Sequence, residues 1–242
     1  MVRVIADVRR QMDPRERLTA GQALAREGRY EDALREYVWF HEHALEHDRS
    51  YYGVRLSFAL GYWLDLAKDY PAAGAKLREI RDRKTEVLAS GGGDRALFHD
   101  VQSINKKIGE DDKTFQLFKA MVERSPLLAT ACADIATEAL VRVKAFALAE
   151  RFSDPPEDAL LRYSDQLNAD VADLAGDRDH KARRLDAYTH IYCQQVAMTI
   201  AILRGVKKTE DARLCREWAE VLVDAPRVRR RVAMMLAERY DA

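Results

Sequence analysis

Two stretches of this chain superimpose at a fixed offset, and no other feature constrains its fold as strongly. Residues 20–37 read AGQALAREGRYEDALREY and residues 60–77 read LGYWLDLAKDYPAAGAKL. Gly21 and Gly61, Tyr30 and Tyr70, and Ala33 and Ala73 are each 40 residues apart, and Tyr37 corresponds to Leu77. A repeat of this length marks a supersecondary unit that buries its apolar face by stacking on its neighbours. A small residue on each helix lets the two backbones of a hairpin approach closely. The larger residues four positions on then fill the layer between them.

Helix punctuation supports the same reading. Asp13-Pro14-Arg15-Glu16 offers an N-cap, a proline at the first helical position and a glutamate three residues after the cap. Gly28 stops that helix, and a second is expected over residues 31–47. Ser50 can cap a third, reaching residue 68. Pro71 opens a fourth, ended by Ser90-Gly91-Gly92-Gly93. Asp94 caps a fifth, closed by Gly109. Pro126 divides the sixth from the seventh. Ser153-Asp154-Pro155-Pro156-Glu157 starts the eighth, a ninth runs to Gly205, a tenth starts near Thr209 and Pro226 opens the last. No segment alternates as a strand, except that MVRVIADV at residues 1–8 reads as strand or as helix. With 11 Gly and 6 Pro in 242 residues the composition also favours helix.

The pattern Leu60-Gly61-x-x-Leu64, then Tyr70, then Ala73-x-x-x-Leu77 resembles the tetratricopeptide repeat (TPR). Thr114-x-x-x-Phe118 after Gly109 is a faint third unit. PEDALLRY at 156–163 echoes YEDALREY at 30–37 and is a fourth. The spacing exceeds the usual period of about 34 residues, so the resemblance implies extended helices. Ser57 stands where the family prefers Trp, and Leu45 and Thr85 where it prefers Pro. The implied fold is all-α, an α-α superhelix of about four hairpins with a C-terminal helical cap. The implied organisation is an N-terminal segment over 1–13, repeats over 14–175 and a helical extension over 176–242. That extension caps the solenoid or mediates dimerisation.

In such folds the first helices of successive hairpins line a concave groove that binds a peptide or partner protein. The resemblance carries groove positions onto Arg15, Gln22 and Arg26 in the first unit, and Arg55, Phe58, Tyr62 and Asp65 in the second. In the third it carries them onto His99 and Lys106. Basic and aromatic groups in that pattern suit an acidic or mixed peptide, with Phe58 and Tyr62 as apolar anchors. The Lys/Asn carboxylate clamp of many chaperone adaptors is absent. Its positions hold Leu18, Gln22, Ala59, Ala96 and Asp100.

One motif points elsewhere. His43-Ala44-Leu45-Glu46-His47 is H-x-x-E-H, similar to the zinc-binding helix of inverzincin metallopeptidases. Two imidazoles four residues apart can share a metal while the glutamate activates its water. A third ligand is then needed, and no local motif supplies one. The competing reading is a packing stripe of Ala33, Tyr37, Phe40, Ala44 and His47, with His41 pointing off it. The stripe is the expectation, with no metal and no cofactor, and a metal-dependent hydrolase is the alternative. Gly91-Gly92-Gly93 lacks the Lys-Ser/Thr of a phosphate loop. Cys193 near His190 reads as a buried thiol and not as a nucleophile.

Charge narrows the partners. Lys plus Arg number 40 and Asp plus Glu 40, so no bulk field favours nucleic acid or an anionic membrane. The N-terminal residues carry charges throughout, so no secretory signal is expected. No apolar run is long enough to span a bilayer. Three scattered cysteines suit reduced thiols in the cytoplasm. Residues 178–242 carry 14 Lys and Arg against 9 Asp and Glu, concentrated in Pro226-Arg227-Val228-Arg229-Arg230-Arg231. Positive charge in a first helical turn opposes the helix dipole. It calls for nearby acids within the chain or for an acidic partner, including a second copy of the chain. Nucleic acid ranks last among the partners.

Overall fold

The computed structural model describes residues 13–174 and 181–240. The described residues are helical, with no strand among them. The strand-or-helix reading of residues 1–8 lies outside the described residues, as does the expected boundary at 175. The chain divides into two compact units, Met1–Leu128 and Ala129–Ala242.

The first unit opens with α1 (Pro14–Arg26) and α2 (Tyr30–His47). The expected capping box is present: Asp13 accepts from the Glu16 backbone N–H at 2.9 Å, and Glu16 accepts from that of Asp13 at 3.2 Å. The third expected helix is instead three pieces. Arg49–Tyr51 is a 3-10 turn, followed by α3 (Tyr52–Leu56) and α4 (Phe58–Asp69). Asp48, not Ser50, caps the turn by accepting from the Ser50 N–H. The break falls at Ser57, whose backbone leaves the helical region and whose hydroxyl bonds back to Gly53 O. Then come α5 (Pro71–Ala89), α6 (Arg95–Ile108) and α7 (Asp111–Arg124). Here α1 packs on α2 and α4, α4 on α5 and α6, and α5 on α6 and α7. Tyr37, Phe40, Leu60, Trp63, Leu77 and Ile104 meet in the core. The Trp63 indole is satisfied by the Ala73 carbonyl at 2.9 Å.

The second unit holds α8 (Pro126–Arg142) from Ala129 on, α9 (Phe146–Arg151) and α10 (Pro156–Asp173). It continues with α11 (Lys181–Gly205), α12 (Thr209–Val221) and α13 (Pro226–Tyr240). The long α11 is its spine and touches α9, α10, α12 and α13. Tyr192 on α11 donates to Ala219 O on α12 at 2.6 Å. Asn168 on α10 holds the end of α12, donating to Leu222 O and accepting from the Asp224 N–H.

One turn recurs and was legible only in part. Gly28 and Gly109 close α1 and α6 in the left-handed region, and the next N–H bonds back to Leu24 O or Asn105 O. Lys144 (φ 60°) and Lys207 (φ 66°) do the same, with Ala145 N–H to Leu140 O and Lys208 N–H to Leu203 O. This is the Schellman closure of a helix. Five residues after each left-handed position stands a buried small residue: Ala33, Thr114, Ala149 and Ala212. The break at Lys144 had no glycine or proline to announce it. TEDA at 209–212 echoes YEDA at 30–33 in a region that showed no repeat by sequence.

Candidate functional site

The nominated groove residues lie on three helices that pack in succession. Arg15, Gln22 and Arg26 lie on α1, Phe58, Tyr62 and Asp65 on α4, and His99 and Lys106 on α6. In this set α1 touches α4 and α4 touches α6. Phe58 is 66 % exposed, Tyr62 is half-buried, and Arg15, Arg26, Asp65 and Lys106 are exposed. Phe58, Tyr62 and Asp65 step by four and three, so they form one stripe on α4. Burial pushes the Tyr37 phenol up to about 12; Arg26 pulls it back, and Tyr62 and Asp65 push it further. Arg26, Tyr62 and Asp65, which come from the two sequence repeats, thus all act electrostatically on one buried phenol.

Arg55 departs from its nominated place. It is 4 % exposed and presents nothing to a partner. Its guanidinium grips Asp100 on α6 with two nitrogens, one at 2.9 Å, and donates to His41 O on α2 at 3.3 Å. Lys84 on α5 bonds the same Asp100 carboxylate and donates to His41 Nε2 at 3.0 Å. Helices α3 and α5 thus reach the carboxylate carried by α6, and His41 on α2 binds both of their cations. Beside it, Tyr52 lies 5.8 Å under the Arg55 guanidinium and shares a 2.8 Å hydrogen bond with His99 Nδ1. His99 is therefore half-buried and held from below.

The electrostatics follow from burial. His41 falls to about 3, through burial first and then the charges of Lys84 and Arg55. Burial likewise lowers Lys84, with Asp100 pulling it back up. For Asp100, burial pushes upward, but the hydrogen bond from Arg55 and the charge of Lys84 prevail and hold it below the usual range. A second network lies further along α5. Arg81, buried, bonds Asn105 and Glu110 Oε2, the latter at 2.8 Å, and Asn105 donates to Thr114 Oγ1 at 3.0 Å. Against the upward push of burial, Lys113 and Arg81 bring Glu110 down to about 2.

The H-x-x-E-H residues are arranged around an indole. His43 and His47 place their rings 5.7 and 5.3 Å from Trp39, and His43 Nδ1 lies 3.0 Å from Glu46. The Arg17 guanidinium stacks on the same indole at 3.9 Å and pairs with buried Glu36. Among the described residues no group of three or more His, Cys, Asp or Glu side chains gathers as a metal would require. His47, expected to continue the packing stripe, is exposed, whereas His41 is 3 % exposed. Between α2 and α5 runs a groove of about 760 Å³ floored by Leu34, Val38, Trp39, Ala72 and Ala75.

No protein-family model matches this chain, and neither a curated protein nor a solved structure matches it. Sequence reasoning missed His41, Lys84 and the pairing role of Asp100. The signal was faint: each is a polar residue inside an apolar helical pattern, 14 to 45 residues from its partners. No described helix is long and apolar enough to cross a membrane.

Proposed function

We propose that the chain is a non-enzymatic interaction module. In this reading TPR-like helical hairpins bind a peptide or a segment of a partner protein along the face of α1, α4 and α6. The observation that carries it is Phe58: a large aromatic side chain, two-thirds exposed, aligned with Tyr62 and Asp65 on one helix face. Aromatic groups of this kind anchor recognition, and the flanking Arg15, Arg26 and Lys106 suit acidic side chains in the ligand. The recurrent helix closures at Gly28, Gly109, Lys144 and Lys207 support a repeat architecture. The buried networks around Asp100 and Arg81 support a rigid scaffold, since each ties several helices together through charge-assisted bonds.

The test is affinity capture from native lysate with the wild-type chain and with Phe58→Ala/Tyr62→Ala. Phe58 is two-thirds exposed, whereas Tyr62 is half-buried against the core, so Phe58→Ala alone is run beside the double variant and circular dichroism checks that both are folded. A partner held by the wild type and lost by the variant identifies ligand and surface together. Capture indifferent to this variant removes the α4 face from the binding site. One zinc per chain in protein purified without chelator, lost in His43→Ala, would instead favour the hydrolase.

A further inference from the structure

The second unit leaves an apolar stripe uncovered. On α12, Leu214, Trp218 and Val221 follow one another by four and three and are 38, 51 and 70 % exposed. Another face of the same helix, Ala212, Cys215 and Ala219, is buried in the core. Single exposed apolar side chains are ordinary, but a Trp centred in a continuous stripe marks a contact surface. The stripe borders a cleft of about 490 Å³ between α12 and α10, to which α10 contributes Glu157 and Leu160. Leu161, also exposed, extends the apolar area on α10. Two helices side by side present a groove that accepts the apolar face of a third.

The edges of this groove are acidic. Glu157 and Asp158 open α10, Glu210 and Asp211 open α12, and Glu217 stands two turns on. Arg213 pairs with both Glu210, at 2.6 Å, and Glu217, so the negative charge that faces the cleft is that of Glu157 and Asp211, which line it. The chemistry that fits is a helix presenting apolar side chains among positive charges.

The outer face of α13 offers positive charges with one exposed apolar side chain, Met234, among them. α13 buries Val228, Val232 and Leu236 and exposes Arg227, Arg230 and Arg231, with Met234 64 % exposed. Arg229 donates to Val223 O at 2.9 Å, and Arg231 pairs with Asp186 at 2.5 Å, so part of the basic run is satisfied locally. Among the described residues, the acids that precede the Pro226 turn, Glu217, Glu220 and Asp224, do not pair with this run; Arg231 reaches Asp186 on α11 instead. Arg227 and Arg230 remain exposed in the first turns of α13, where positive charge opposes the helix dipole.

We propose that the acidic apolar groove between α10 and α12 receives the basic outer face of α13 from a second copy of this chain. The contact joins two different surfaces, so it is head-to-tail, and two copies form a closed pair only when both contacts are made at once. Trp218 is the apolar centre of the contact and the carboxylates set its partner and salt dependence.

Sedimentation of the full chain over a concentration series, at low and high salt, tests it. The wild type associates as concentration rises, and salt weakens the association. Arg227→Glu/Arg230→Glu and Glu157→Lys/Asp211→Lys each weaken self-association by about tenfold or more. Mixing the two variants restores it, because the acidic groove of the first meets the basic helix of the second. Trp218→Ala and Met234→Glu weaken it without altering the charge edges. Helical content by circular dichroism is unchanged throughout, since every substituted side chain is exposed. A wild type that stays monomeric across the series overturns the proposal. So does association indifferent to both charge variants, or a mixture that fails to recover it. Association that needs Trp218 but ignores the charges would also overturn it, by giving the stripe a different occupant.

Discussion

A Cβ atom added at Gly21 would stand 2.7 Å from Cε1 of the Tyr37 ring and 3.3 Å from Cβ of Glu36. The equivalent atom at Gly61, the glycine 40 residues on, meets nothing within 4 Å. Two residues that the sequence pairs therefore do different work. Gly21→Ala forces the buried Tyr37 aside and should cost about 1–3 kcal/mol. Gly61→Ala has room and should stabilise α4 by about 0.4–1 kcal/mol, through lost freedom in the unfolded chain. Urea midpoints of the two variants check this, and equal shifts in one direction would contradict it.

The Arg55–Asp100 pair separates structural from exposed charge. Arg55→Met leaves a buried carboxylate with Lys84 as its main partner and should cost about 3–5 kcal/mol. Arg55→Met/Asp100→Leu should cost less than the sum of the two single changes, because the loss of Lys84's carboxylate is then counted once and neither Arg55 nor Asp100 is left without the other. Phe58→Ala, on the exposed stripe, should change stability by no more than about 0.5 kcal/mol. A double-mutant cycle by urea denaturation measures the coupling, and an additive result would mean that the pair contributes nothing specific.

His41 makes stability depend on pH in a defined direction. Its folded value of about 3 lies below the ordinary 6.5, so between those values the unfolded chain binds the extra proton. The contribution is therefore complete above pH 6.5 and is lost progressively as pH falls toward 3. The slope reaches about 1.4 kcal/mol per pH unit at most. Asp100 and Glu110, both held low, add their loss at more acid pH. Unfolding measured between pH 6 and pH 5 should show a falling midpoint in the wild type and a flatter one in His41→Gln. A slope unchanged by that substitution would assign the acid sensitivity to other groups.

Lys207 holds a left-handed backbone with a full side chain. Relieving the Cβ contact with the carbonyl is worth about 1 kcal/mol at such a position. Lys207→Gly should therefore raise the thermal midpoint of the second unit, while Lys208→Gly, one residue on, should not. Matched melting curves distinguish them; a destabilised Lys207→Gly would mean that its side chain contributes more than its conformation costs.

The sequence by itself determined the local breaks. The box of Asp13 and Glu16, Pro71 and Pro226 at helix starts, and Gly28 and Gly109 at helix ends act through neighbours along the chain, so each was readable where it stands. The break at Ser57 and the left-handed closures at Lys144 and Lys207 were not, because nothing in those residue types demands them. The stripe of Ala33, Tyr37, Phe40 and Ala44 on α2 was also legible, since helical period places those residues on one face. Tertiary structure alone decided which of two faces a polar residue joins. His41 and Arg55 became interior only because Lys84 and Asp100 arrive from α5 and α6 with the opposite charge or a matching donor. A charge can be buried where its partner is assembled, and here that partner comes from distant helices. Periodicity cannot report the partner, because it records which residues share a face and not what that face will meet.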